Sequence, residues 1–181
     1  LTSRLQNIQP GDTVLLGKKP TGTLVLDALT PGKRLFMFST GTGFAPFASV
    51  VRDPETYDKF EQVIVTHTCR EVAELNYGKE LVRELLAHEF LGDMARGKLI
   101  HFACTTREPS EYMGRITTLI ESGDLFTALD MPPLNPETDR VMICGSTDML
   151  RDTKALLEAR GFIEGANNAP AQFVIERAFV G

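Results

Sequence analysis

Five residues, Ser39-Thr40-Gly41-Thr42-Gly43, stand behind an apolar run, RLFMFS, and ahead of FAPFASV. Two glycines around one threonine suit a turn whose backbone approaches a phosphate closely. The N–H groups that open the following helical segment carry partial positive charge and favour an anion there. Pro46 falls in the first helical turn, where its missing N–H costs little and its fixed φ fits. On this reading Gly43 accepts no side chain, because a pyrophosphate would occupy that space. A glycine pair alone equally marks a plain strand-to-helix turn.

Three further apolar runs end in polar residues. QVIVTHT leads into Cys69-Arg70, KLIHFACT into Thr106-Arg107, and DRVMIC into Gly145-Ser146. A dinucleotide site that takes an unphosphorylated ribose places an acid near the end of its second strand, to bind the 2′-hydroxyl. Here Arg70 stands before the first acid, Glu71, and Arg107 and Arg115 flank the loop TTREPSEYMGR. Guanidinium groups are planar bidentate donors suited to a 2′-phosphate, so the pattern favours NADP over NAD. The competing reading has Arg70 paired with Glu71 or Glu74, and Arg107 with Glu108 or Glu111, as solvated surface pairs. Cys144 precedes Gly145, a combination that admits a flat ring beside a small polarizable thiol; a buried structural cysteine fits equally. No cysteines or histidines cluster at metal-ligand spacing, and His67 and Cys69 read as packing residues, so no metal site is expected.

The elements that must position these residues follow from periodicity. From residue 31 onward, apolar strand-like runs alternate with helical segments. Within YGKELVRELLAHEFLG, Leu81, Val82, Leu85, Leu86 and Phe90 recur at helical spacing. TDMLRDTKALLEARG reads as a helix closed by Gly161. Apolar runs buried on both faces and separated by helices indicate an α/β, Rossmann-like doubly wound parallel sheet over residues 31–181. Ligands of such sheets lie beyond the carboxyl ends of the strands, where the four polar edges stand. Residues 1–30 read differently: a helical turn, then two short strands, TVLLG and TLVLD, around KKPTG. Two strands cannot bury a core alone, so this segment is expected to be the end of an upstream antiparallel β-barrel domain.

The 181 residues carry a net charge of −5, which disfavours nucleic-acid binding, and no apolar run approaches a membrane span. No secretory signal opens the chain, and three widely spaced cysteines suit reduced thiols. A cytoplasmic, monomeric protein is the expectation.

Together GTGFAPF, YGKEL, TTRE followed by GRI, CGSTDML and the terminal VIERAFVG resemble the NADP-binding half of bacterial ferredoxin (flavodoxin)–NADP reductases, of the proteobacterial type with a C-terminal extension. The resemblance implies an FAD-binding β-barrel followed by the NADP domain. It implies that Thr40, Gly41, Thr42, Gly43 and Pro46 hold the NADP pyrophosphate, and that Arg107 and Arg115, with Thr106 and Arg70 beside them, clamp the 2′-phosphate. Cys144 and Gly145 would lie beside the nicotinamide, with Asp148 in the same cofactor-binding set. Thr2 and Ser3 would meet the FAD pyrophosphate. Glu176 matches an acid near the flavin, with a role in proton delivery. Ala178 would face the flavin ring and Phe179 pack on the FAD adenine side. The family's Arg-x-Tyr-Ser flavin motif is absent from this sequence. The implied activity is electron exchange through FAD between NADPH and ferredoxin or flavodoxin. The alternatives are the NADP module of an oxygenase or cytochrome reductase, and a non-catalytic nucleotide-binding fragment.

Overall fold

The computed structural model describes residues 7–18 and 22–176. Five parallel strands form one sheet: β1 (Arg34–Thr40), β2 (Gln62–Cys69), β3 (Leu99–Thr105), β4 (Asp139–Cys144) and β5 (Phe173–Glu176). Their spatial order is β3-β2-β1-β4-β5. The chain winds outward from β1 in one direction, then returns to β1 and winds the other way. The switch point therefore lies between β1 and β4, beyond their carboxyl ends, as the doubly wound pattern requires.

Strand alternation explains the two cores. In β1, Leu35 and Met37 point to one face and Phe36 and Phe38 to the other, all four fully buried. The first face packs under α1 (Phe44–Val50), α2 (Pro54–Lys59), α3 (Asn76–Ala87) and α4 (Leu91–Ala95). The second packs under α5 (Ile116–Ser122), α6 (Asp124–Leu129) and α7 (Thr147–Ala159). Helix ends are chemically marked. Asp53 accepts the Glu55 N–H at 3.0 Å, with Pro54 opening α2, and Ser146 accepts the Met149 N–H at 3.4 Å at the start of α7. Gly161 follows α7 at φ +85°, as expected from the sequence. The short helices α2, α4 and α6 carry too few turns to show a clear period, and the sequence reading missed them.

The two expected N-terminal strands do not form among the described residues. Residues 13–17 have no regular structure, and Leu15 and Leu16 are 101% and 93% exposed. A strand needs a neighbour to take up its N–H and C=O groups, and no strand among the described residues lies beside this stretch. In TLVLD the alternation of Leu24 and Leu26 imitated a strand. Those side chains, with Ala28 and Leu29, are buried in the first core, but the backbone turns as a 3-10 helix at Leu26–Ala28. Thr23 donates its hydroxyl to the Ile175 carbonyl at 2.8 Å, and Leu29 forms one parallel bridge with Ala171. The segment thus runs along the β5 edge without becoming a sixth strand.

Candidate nucleotide-binding cleft

β1 delivers the glycine-containing turn to the switch point. Its last residues are tied sideways. The buried Ser39 hydroxyl donates to the Thr66 carbonyl at 2.5 Å, and Thr66 Oγ1 donates to the Met37 carbonyl at 3.2 Å. Thr40 Oγ1 accepts the Ser146 N–H at 3.0 Å, joining the first turn to the start of α7. Gly41–Gly43 then form a 3-10 turn that runs into α1, with Gly41 at φ +51°. Pro46 lies in the first turn of α1, where no helical N–H bond is lost.

The glycine that the sequence reading reserved for phosphate has another reason to be glycine. A Cβ on Gly43 would sit 2.6 Å from the Cys144 carbonyl carbon and 2.9 Å from Gly145 Cα. Gly43 is therefore small because β4 backbone packs against it. Gly145 is likewise small because Thr40 occupies its side-chain space. Gly41 has open space around its Cα and faces the cleft.

Beneath the turn, the Phe44 ring lies 4.4 Å from the His67 ring, and His67 Nε2 is 3.2 Å from Cys69 Sγ. Burial pushes the Cys69 thiol up to about 11 and His67 downward; burial above all, with the repulsion a second protonated imidazole at His67 and the Lys79 ammonium would add, takes His101 down to about 4. These groups are neutral packing material at neutral pH.

A cleft of about 650 Å³ opens across the carboxyl ends of β1, β2, β3 and β4. The structure brings Thr40, Gly41, Thr42, Arg70, Thr106, Arg107, Arg115 and Asp148 together along it. Gly43, Pro46, Cys144, Gly145 and Glu176 do not line it. Thr2, Ser3, Ala178 and Phe179 lie outside the described residues. The sequence reading missed Ile116, Thr117, Met149 and Asp152. Ile116 and Thr117 directly follow Arg115 in the first turn of α5, while Ser146, Met149 and Asp152 recur every third residue along α7. That helical spacing was the available signal.

The charges in the cleft are sorted. Asp148 and Asp152 both pair with Arg151, at 3.1 and 2.9 Å, so one cation offsets half of the acidic charge on the α7 side. The expected surface pairing of the other arginines does not occur. Among the described residues no carboxylate lies within ion-pair distance of the Arg70, Arg107 or Arg115 guanidinium groups. Glu74 instead accepts the backbone N–H groups of Arg70 and Glu71 at 2.8 and 3.0 Å, which hold its carboxyl below the usual range. Glu108 accepts the Val72 N–H at 2.6 Å. Three guanidinium groups thus line the β2–β3 side of the cleft without an ion pair; the Glu74 carboxylate lines it with them and attracts Arg70 at longer range, and the excess of cations there suits a multiply charged phosphate ligand.

The Oxidoreductase NAD-binding domain family profile matches residues 37–155. The chain is 54% identical over 181 residues to "Ferredoxin--NADP reductase A" of Sorangium cellulosum (strain So ce56), covering all of this chain and 65% of that protein. It is 50% identical to "Ferredoxin--NADP reductase" of Pseudomonas aeruginosa, covering 99% of this chain and 70% of that one. The chain belongs to the ferredoxin–NADP reductase family. A solved ferredoxin NADP+ reductase from Neisseria gonorrhoeae, with bound FAD and NADP, superposes with a TM-score of 0.80 at 31% identity, over 98% of this chain and 69% of that one. A flavohemoglobin from Malassezia yamatoensis shares the fold, with a TM-score of 0.61 at 20% identity. This member of the family therefore spans 65–70% of the length of these reductases.

Cys144 and Glu176 occupy a second location. They are register partners on β4 and β5. Cys144 is fully buried, and burial together with the Glu176 charge pushes its thiol up to about 11. Glu176 Oε2 accepts the Thr23 N–H at 3.4 Å. Among the described residues no group of three or more His, Cys, Asp or Glu could hold a metal ion, and no helix is long and apolar enough to cross a membrane.

Proposed function

We propose that the intact protein exchanges electrons between NADP(H), as hydride, and a one-electron carrier, ferredoxin or flavodoxin, through FAD. The observation that carries the reading is the set of three guanidinium groups that line the cleft of about 650 Å³ with no carboxylate in ion-pair distance among the described residues. The relatives' names support the activity. The donor set fits NADP: Arg70, Arg107 and Arg115 would hold the 2′-phosphate, and the Gly41–Thr42 backbone the pyrophosphate. Binding energy gathered at the 2′-phosphate, far from the reacting ring, would orient the other end of the nucleotide.

Among the described residues the chain holds only an edge of a flavin site. Glu176 would stand there as a proton-handling group, with Cys144 behind it as a neutral thiol. A bound flavin would supply the hydride exchange and the split into single electrons. The exposed Val14, Leu15 and Leu16 support a barrel domain packed against residues 7–18. We read residues 1–30 as the end of that domain and 31–181 as the NADP-binding unit, although the burial of Leu24–Leu29 draws the packing seam closer to residue 23. Thr2 and Ser3 would complete the flavin pyrophosphate site, and Ala178 and Phe179 would cover the flavin. Free, buried Cys69, Cys104 and Cys144 suit a reducing cytoplasm, and the protein is read as a monomer.

The test is Arg107→Ala and Arg115→Ala in the intact protein, with NADPH and NADH efficiencies measured separately. Each loss of a charge-assisted phosphate contact should cost NADPH about 1.5 to 3 kcal/mol, on the order of tenfold to a hundredfold, and leave NADH nearly unchanged. An unchanged ratio in both variants refutes the assignment.

A further inference from the structure

We propose that Glu108 is a positioning residue that sets the discrimination between 2′-phosphorylated and unphosphorylated adenine nucleotides by fixing Arg107 against Arg70. The inference rests on the reading of the arginine edge as a phosphate site. The two arginines sit on different loops, one after β2 and one after β3, so their spacing depends on how the loops are joined. Three backbone bonds start the join. The Thr106 N–H donates to the Cys69 carbonyl at 2.9 Å, and the Arg107 and Glu108 N–H groups both donate to the Arg70 carbonyl at 3.1 Å. These bonds reach no farther along the β2 loop than Arg70. Glu108 goes two residues beyond, where its carboxylate accepts the Val72 N–H at 2.6 Å. The other end of Glu108 is also anchored. Its carbonyl accepts the Thr105 hydroxyl, which shares a 2.8 Å hydrogen bond with Ser110, and Ser110 donates to the Tyr112 carbonyl at 2.6 Å.

The electrostatics argue that this role is geometric. An acid next to Arg107 lowers the positive potential of an anion site, so its charge works against phosphate binding. Glu108 also leaves its neighbour Arg107 unpaired and spends its carboxylate on a backbone N–H of the opposite loop. The loop after β2 is braced from its own side by Glu74, which accepts the Arg70 and Glu71 N–H groups. Glu108 thus clasps the β3 loop to an already stiffened partner. Preorganised donors lose less freedom when the phosphate arrives, which raises affinity for the ligand that touches both arginines and for no other.

The experiment uses the intact protein and competition titrations with adenosine 2′,5′-bisphosphate and with 5′-AMP. Glu108→Ala should weaken the bisphosphate about threefold to tenfold and 5′-AMP less than about twofold. Glu108→Gln, which keeps an acceptor oxygen, should stay within about twofold of the parent for both. In an Arg107→Ala background, adding Glu108→Ala should change bisphosphate binding less than about twofold, because the group it positions is gone. Equal weakening of both ligands by Glu108→Ala would mean a merely structural loop residue and overturn the proposal. So would no weakening of the bisphosphate, or a Gln variant as impaired as Ala. If Arg107→Ala abolishes discrimination and Glu108→Ala does not, the clasp alone fails. If Arg107→Ala itself leaves discrimination intact, Glu108 has no phosphate contact to position and the proposal fails; the phosphate reading of this edge fails with it only if Arg115→Ala also leaves discrimination intact.

Discussion

Arginines stand at both ends of the sheet, in opposite circumstances. At the amino-terminal edge, Arg34 and Asp139 are register partners on β1 and β4, and both are buried. Arg34 meets the two carboxylate oxygens at 2.7 and 2.5 Å and the Pro132 and Pro133 carbonyls at 3.0 and 3.1 Å. Asp139 also accepts the Asn135 N–H at 2.8 Å. Arg140 beside them donates to the Thr30 and Pro136 carbonyls, both at 2.9 Å. At the carboxyl-terminal edge, Arg70, Arg107 and Arg115 line an open cleft with no carboxylate in ion-pair distance among the described residues, Glu74 acting on Arg70 only at longer range. Buried charges must be partnered for the chain to fold at all. Charges at the cleft without an ion pair add little to the fold. Partnering, rather than residue type, separates the arginines that hold the fold from those left without an ion pair at the cleft.

The sharpest way to break this comparison is at the buried edge. Asp139→Ala should destabilise the protein by about 3 to 5 kcal/mol, because it strands the buried Arg34 guanidinium. Denaturant unfolding measures this, and a loss below about 1 kcal/mol would show that the pair is dispensable. No cleft arginine should behave this way: Arg107→Ala should leave the same unfolding midpoint within about 0.5 kcal/mol.

Buried titratable groups without partners sharpen the rule. His67 Nδ1 and His101 Nε2 are buried and have no hydrogen-bond partner among the described residues. The folded His101 pKa of about 4 lies below its ordinary value of 6.5, so the unfolded chain binds the extra proton. Its stabilising effect is therefore fully present above pH 6.5 and is lost as the pH falls from there toward 4. Unfolding at stepped pH should show a decline on the order of 2 kcal/mol over that window, reduced in His101→Gln. An identical pH profile in the variant would assign the decline elsewhere.

Gly43 tests which contact makes the turn. Gly43→Val should cost stability by about 1 to 3 kcal/mol, because the new side chain meets the Cys144–Gly145 backbone. Weakened NADP binding with unchanged thermal unfolding would instead restore the expectation that phosphate occupies that space. The smallest effect belongs to Arg151, which matches Asp148 and Asp152 at the cleft rim. Arg151→Ala should change stability by less than about 1 kcal/mol, as exposed pairs do. It should also raise the NADPH KM a few-fold by uncovering the two acids; an unchanged KM would show that solvent screens them.

Much of this arrangement was legible in the sequence where the signal is local. The runs ending at Thr40, Cys69, Thr105 and Cys144 are apolar on both faces, which only a covered parallel sheet accepts. Gly161 and the turn at Gly41–Gly43 stand where strand and helix periods change. The legibility stopped at TVLLG, whose strand-like residues lack a partner among the described residues, and at TLVLD, whose alternation serves burial without a ladder. It stopped again at Gly43 and Gly145, since nothing near them in sequence reveals which backbone packs against their missing side chains.

By itself, then, the sequence determined the doubly wound sheet, the position of its polar edges and the choice of arginine over acid at two of them. Periodicity and residue chemistry operate within a few neighbours, and that suffices for those features. Only the tertiary structure decided which arginines are free. Glu74 and Glu108 are near Arg70 and Arg107 in sequence, and pairing was the ordinary expectation. The Glu74 carboxylate turns to the Arg70 and Glu71 N–H groups of its own loop, and the Glu108 carboxylate to the Val72 N–H, which the register of β2 against β3 brings within reach. That register joins residues more than thirty positions apart, a distance over which no local pattern can specify a hydrogen bond.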